Sequence, residues 1–255
     1  MTRRAAPRSF EAGTMTHLPA LLTGLSSTSN QTELAYQTIR RRIIELDLVP
    51  DSMFTELKLA EELGVSKTPV REALVRLQQD GLVAPVPRAG YGVQPVTLKT
   101  TRDLCEFRSI VEPKAAELAA SRPIAQPALQ RLQELAESNL AVRYPADRAG
   151  VERYLRDHFE FQAIIANACG NDRLAASIVG VLNDLERVLR LCLGGLPWSD
   201  ARADQRIAIV AAISNQEPAV AFERMLERTQ DAQREIIEAL ISSPSVSHAS
   251  ISIGV

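Results

Sequence analysis

TELKLAEELGVSKTPVREAL, residues 55–74, reads as a helix, a tight turn and a second helix. Leu59, Ala60 and Leu63 recur on one face of the first helix, roughly Thr55 to Leu63. Gly64 follows, the residue best suited to the left-handed conformation that ends a helix. The chain restarts after Val65. Ser66 stands where a side chain can cap the next helix, and Pro69 falls in the first turn, where a missing N–H costs little. Val70, Ala73, Leu74 and Leu77 then form an i, i+3, i+4, i+7 stripe, and Gly81 ends the helix.

Working outward, a helix is expected upstream after Thr32 as N-cap, with Ala35, Ile39, Ile43 and Leu46 on one stripe and Arg40, Arg41 and Arg42 around the other faces. Pro50 and Asp51 mark a turn. Downstream, two extended segments, 82–86 and 91–96, flank a turn at 87–90 and read as a β-hairpin. Pro85 and Pro95 cannot donate to a ladder, which keeps both strands short or at an edge. Beyond Val96 the pattern is helical, at about 101–121, 127–142, 147–168, 172–194, 201–215 and 218–242, with breaks at Pro123/Pro127, Pro145, Gly170-Asn171, Gly194-Gly195-Pro197 and Pro218. The expected fold is therefore mainly α: an N-terminal winged helix-turn-helix of three helices and a β-hairpin wing, then an all-α helical bundle. The boundaries expected are a flexible arm at 1–30, the winged unit at 31–98, the bundle at 99–243 and a flexible tail at 244–255. Met1 and Met15 both remain open as the start.

With 255 residues, 45% of them hydrophobic, the chain can build a core without disulfides or metal. Cys105, Cys169 and Cys192 lie far apart among apolar residues and read as free thiols of a reducing compartment. Apolar runs are too short to span a bilayer, and no secretory signal pattern opens the chain, so the expectation is a cytoplasmic protein that does not enter membranes. Residues 1–99 hold 12 Lys and Arg against 10 Asp and Glu, and the remainder 17 against 21. That asymmetry is too mild to identify a nucleic-acid binder by itself.

Spacing supplies what net charge does not. In a helix-turn-helix the second helix presents its N-terminal turn to the major groove of DNA. Here that turn carries Ser66, Lys67 and Thr68, with Arg71 one turn on, all off the apolar stripe. Helix N-terminal amides and a hydroxyl suit phosphate, and Arg can bind guanine through two hydrogen bonds. Arg88 and Gly90 sit at the expected wing tip. The plain alternative is that Lys67, Arg71 and Arg76 only solvate an exposed helix face.

The stretch AYQTIRRRIIELDLVPDSMFTELKLAEELGVSKTPVREALVRLQQDGLVAPVPRAGYGV resembles the winged helix-turn-helix of GntR-type bacterial transcription regulators, over about Thr32 to Thr97. DLCEFRSIVEPKAAELAA and DHFEFQAIIANACGNDRL, further on, resemble the helical effector domain (FCD type) of the FadR-type branch. The resemblance implies a homodimer in which each winged helix reads half of a palindromic double-stranded DNA operator, with affinity set by a small molecule in the bundle. It implies DNA contacts at Ser66, Lys67, Thr68, Arg71, Arg88 and Gly90, with Arg40 a further phosphate candidate. The family commonly has Arg where this chain has Lys67, and Lys suits phosphate better than a base edge.

In the bundle, polar residues interrupt apolar stripes. Arg108 lies among Leu104, Phe107, Val111 and Ala115; His158 and Gln162 are i, i+4 partners flanked by Tyr154, Phe161 and Ile165; Arg206 precedes Ile209, Val210 and Ile213; Arg228 follows Ala221 and Met225. In many members of the branch a carboxylate or amide and three histidines hold a divalent metal. The resemblance puts His158, Gln162, Arg206 and Arg228 at those four places. A guanidinium has no lone pair to give a metal, and an amide is a poor transition-metal ligand, so no metal and no cofactor is expected. Several inward positive groups fit instead a small carboxylate-type effector bound by Arg108, His158, Gln162, Arg206 and Arg228.

Structural alternatives stay open: Glu112 as the partner of Arg108, and Asp204, Glu227 or Asp231 as partners of Arg206 and Arg228. Arg187 and Arg190 are ambiguous in helical phase. A metal-sensing regulator is the runner-up. Catalysis is not expected: Asp157 is read as facing away from His158, and no nucleophile elbow, dinucleotide loop, Walker loop or zinc-protease motif is present.

Overall fold

The structure is a computed structural model that describes residues 27–141, 148–192 and 201–242. The tail at 244–255, the arm up to residue 26 and the Met15 alternative lie outside the described residues. Residues 27–30, assigned to the arm from sequence, belong instead to the first helix, α1 (Ser27–Ile44). Thr32 therefore caps nothing. It lies within α1, buried, and its hydroxyl donates to Glu72 at 2.7 Å, a tertiary partner that local sequence could not announce. Leu46, placed on the helical stripe, lies past the end of α1 with φ of 65°. Ile44 fills the core in its place.

The helix-turn-helix forms as expected from α2 (Glu56–Leu63) and α3 (Lys67–Gln79). Thr55 caps α2 by accepting from the Lys58 N–H at 3.2 Å, a contact worth about 1 kcal/mol. Gly64 takes the left-handed conformation at φ 66°, and the Val65 N–H returns to the Ala60 carbonyl at 3.1 Å. Ser66 holds the N-cap position of α3 but makes no side-chain capping bond, so the expected hydroxyl cap is corrected. Three polar ties brace α1 against α3 and α2: Tyr36 donates to Asp80 at 2.7 Å, Arg76 stacks 4.0 Å from the Tyr36 ring while pairing with Glu33 at 2.7 Å, and Arg42 pairs with Glu62 at 2.6 Å. Arg76 is thus a brace rather than a merely solvated charge. Beneath these ties Ile39, Ile43, Leu59, Val70, Leu74 and Leu77 make one hydrophobic core.

The wing is a three-stranded antiparallel sheet of order β1-β3-β2, built from β1 (Met53–Phe54), β2 (Val83–Val86) and β3 (Gly90–Val93). Only the hairpin was legible in sequence. A strand of two residues, β1, has no periodicity to detect, and it pairs Met53 with Gly92 and Phe54 with Tyr91. Pro85 lies in the edge strand β2, as a residue without an N–H requires.

Six helices follow: α4 (Leu98–Ala120), α5 (Gln126–Ala141), α6 (Arg148–Ala168), α7 (Asp172–Cys192), α8 (Ala201–Ser214) and α9 (Pro218–Ser242). Expected and observed boundaries agree within three residues. The largest offset is the start of α4, where Thr97 and Thr100 form a reciprocal capping box. Helix α4 packs along α9 and also touches α6, α7 and α8. Leu132, Leu135, Phe161, Ile165, Leu185, Ile209 and Met225 fill a second core, separate from the first. The two units meet where α7 touches α1. There Arg187 donates to the Gln94 carbonyl, and Asp184 lies within the field of Arg40. All three cysteines are free and buried. Among the described residues no helix is long and apolar enough to cross a membrane.

Candidate DNA-reading face and buried cationic cluster

The N-terminal turn of α3 leaves Ser66, Lys67, Thr68 and Arg71 exposed, while Pro69 and Val70 turn inward. Unbonded amides at a helix start attract anions, and one Lys and one Arg stand beside them. Arg71 is not loose. Glu56, in the first turn of α2, receives its Nε at 3.1 Å and its Nη2 at 2.9 Å, fixing the plane of an otherwise exposed guanidinium and raising its pKa through those hydrogen bonds. Sequence reasoning missed Glu56, because fifteen residues and a turn separate the pair.

At the wing tip Arg88 is exposed and adopts φ of 66°, and the Ala89 N–H closes the turn onto the Val86 carbonyl at 3.0 Å. Gly90 has a packing reason to be glycine. Its φ is 105°, and a Cβ there would come within 2.4 Å of the Phe54 carbonyl oxygen. Arg40 is half-buried on α1, within the electrostatic reach of Asp184 on α7.

In the second unit all five expected effector residues are buried: Arg108 at 1% exposure, Gln162 at 2%, Arg206 at 3%, His158 at 4% and Arg228 at 7%. Phe107, expected beside Arg108, is instead exposed. Helices α4, α6, α8 and α9 bring the five into one buried cluster, with the Glu112 carboxylate bonded to two of them. Arg108 reaches Glu112 through Nε at 2.6 Å and Nη2 at 3.3 Å, and Gln162 donates to the second Glu112 oxygen. Glu112, named from sequence only as a possible partner for Arg108, is thus the hub. Arg228 Nη2 lies 3.3 Å from His158 Nδ1. A guanidinium only donates, so Nδ1 accepts and the ring proton sits on Nε2. Arg206 donates to the Leu135 carbonyl at 3.4 Å. Arg206 and Arg228 share the ring of Phe161, at 5.2 and 5.6 Å from its centroid, and Tyr154 stacks on His158 at 5.8 Å.

Asp204, Glu227 and Asp231, the partners expected from sequence, do not pair with Arg206 or Arg228. Glu227 pairs with Arg224, Asp231 with Arg234 and Gln205, and Asp204 is exposed. Asp157, read from sequence as facing away, is half-buried within the field of Arg206; burial raises its pKa, and Arg156 and Arg206 oppose the rise. Arg187 and Arg190 point elsewhere, the first to Gln94 and the second to Glu152 and Glu186. Arg228 carries the electrostatic cost. Burial first, then Arg206, push its pKa down to about 9, and its Nη1 has no hydrogen-bond partner. A buried charge in that condition is unfavourable unless something supplies the missing acceptor.

A divalent metal does not fit this donor set. Two of the four places the family uses hold guanidinium groups, and the Glu112 carboxylate is already engaged by Arg108 and Gln162. Among the described residues no three His, Cys, Asp or Glu side chains gather to hold a metal ion.

Residues 31–93 match the family described as bacterial regulatory proteins, gntR family, and residues 103–241 match the FCD domain. An HTH-type transcriptional regulator from Streptomyces ambofaciens is 39% identical over 77 residues, 30% of this chain and 33% of that protein. The HTH-type transcriptional repressor RspR of Escherichia coli is 28% identical over 120 residues, covering 47% of this chain and 53% of RspR. The alignments thus span a third to a half of these two relatives. Among solved structures, E. coli McbR/YncC superposes with a TM-score of 0.67 at 20% identity, covering 82% of this chain and 97% of the other. A GntR protein from Rhodococcus sp. RHA1 gives 0.65 at 21% identity, covering 83% and 99%.

Proposed function

Because this chain belongs to the GntR family of bacterial transcription regulators, with an FCD domain following its DNA-binding winged helix, we propose that it is a repressor controlled by a small carboxylate. In this reading it binds a palindromic operator as a homodimer. The α3 N-terminal turn of Ser66, Lys67 and Thr68 enters the major groove with Arg71, Arg88 reaches from the wing, and Arg40 contributes to phosphate. Gly90 serves this face by letting β3 approach β1. Repression is the role in the printed name of RspR.

The observation that carries the effector half is Arg228: a buried guanidinium with an unpartnered Nη1, next to Arg206 and Arg108. A carboxylate supplies paired acceptors for such a fork. Binding it in the second unit would bias how α7 meets α1, and so the spacing of the two reading helices. Whether the ligand releases or tightens the operator is read directly by titrating it into the complex.

Two results test the proposal. If the dimer neutralises about 6–10 phosphates, the logarithm of operator affinity falls with the logarithm of salt by about 0.9 per phosphate. Lys67→Ala should reduce that slope by about 1 and weaken all DNA sequences alike. An affinity flat in salt, measured by fluorescence anisotropy on operator duplex, overturns DNA reading by this face. Arg206→Ala should abolish the change in operator affinity caused by effector; an unchanged response counts against the carboxylate site.

A further inference from the structure

We infer that the ligand of the buried cationic cluster carries no ammonium group: the site takes carboxylic, keto or hydroxy acids and rejects amino acids of the same skeleton. This rests on reading the cluster as an anion site. It goes further because it follows from the acceptors, not from the positive charges alone.

An ammonium group brings three donors and one positive charge, and it needs acceptors to replace its water. The acceptors that the cluster's own donors reach are already engaged. Both Glu112 oxygens receive hydrogen bonds, one from Arg108 Nε at 2.6 Å and the other from Arg108 Nη2 and Gln162. His158 Nδ1 receives Arg228 at 3.3 Å. The Leu135 carbonyl receives Arg206 at 3.4 Å. Arg228 Nη1, a donor, has no hydrogen-bond partner. Arg108, Arg206 and Arg228 are each at most 7% exposed, so little water screens them from a like charge.

A carboxylate, by contrast, is acceptor-only and negative. It would complete Arg228 without displacing any of the bonds just described. Adding an ammonium beside it introduces a like charge among guanidiniums, with donors facing donors, and a polar group left unpaired on burial is what gives such sites their discrimination.

The test is a titration of the full chain with matched pairs: succinate against aspartate, 2-oxoglutarate against glutamate, and pyruvate against alanine. Sulfate serves as an acceptor-only dianion, and Arg228→Met as the variant. Binding is read by calorimetry and by thermal unfolding. For every pair in which either member binds, the acid lacking ammonium should bind at least tenfold tighter. Its stabilisation should vanish in Arg228→Met, and that variant without ligand should melt at or above the wild type. An amino acid binding within threefold of its partner, and dependent on Arg228, overturns the exclusion of ammonium while leaving an anion site in place. Silence towards every acid and sulfate, a response that survives Arg228→Met, or a lower melting point in that variant overturns the anion reading itself. A second variant, Arg228→Lys, keeps the charge and loses the fork; acids should weaken at least tenfold while amino acids stay rejected, and unchanged acid binding overturns the role of Arg228.

Discussion

Glu112→Ala is expected to be among the most damaging single substitutions in the second unit, at a cost of about 3–5 kcal/mol. The residue is 1% exposed, and it is the acceptor of both Arg108 and Gln162. Its removal leaves a cluster with guanidiniums on α4, α8 and α9 and takes away the carboxylate that Arg108 and Gln162 bond. Arg108 then loses its carboxylate partner, and Arg228, which the Glu112 charge also favours, loses that compensation. Breaking a buried ion pair on one side costs more than the pair contributes when intact, because the surviving charge stays desolvated. Thermal or urea unfolding checks the figure. Added sulfate should restore part of the loss, since an anion can stand in for the missing carboxylate and binding to the folded state stabilises by mass action. A change below about 1 kcal/mol would mean that Glu112 is not the hub of the cluster.

Gly90→Ala is expected to cost on the order of 2–3 kcal/mol in the winged unit, with loss of operator binding. The first effect is steric: the new methyl meets the Phe54 carbonyl oxygen at 2.4 Å and the Thr55 Cα at 3.2 Å. Neither is the end of a flexible side chain, so β1 must leave β3. The second is conformational, since a φ of 105° is one that residues with a Cβ rarely adopt. Thr55 is also the cap of α2, which carries the displacement into the helix-turn-helix and so to Arg71 through Glu56. Gly92→Ala is the control. That Cβ meets only the tip of Val86 at 3.3 Å, and it should change stability and operator affinity much less. Equal effects from the two substitutions would contradict the close-approach explanation.

Local sequence determined every described helix and the wing hairpin, because each carries its own signal. The apolar stripe of Val70, Ala73, Leu74 and Leu77, the left-handed Gly64 and the proline breaks between bundle helices act within one or two turns of chain. The same periodicity turned Arg108, Gln162, Arg206 and Arg228 inward, since a polar residue on an apolar stripe faces the core whatever its chemistry. Where the fold departed from that reading, a distant partner was involved. Thr32 lies inside α1 with its hydroxyl bonded to Glu72, forty positions away; strand β1 exists because β3 is there to pair with two residues; and Arg71 is aimed by Glu56 across the turn. In the buried cluster, the residue types and their inward phase follow from sequence, which is enough to exclude metal ligation at two of the four places. Which acceptor each donor finds was decided only by the tertiary structure. Side-chain hydrogen bonds and ion pairs depend on distances between helices far apart in the chain, and no local pattern encodes those distances.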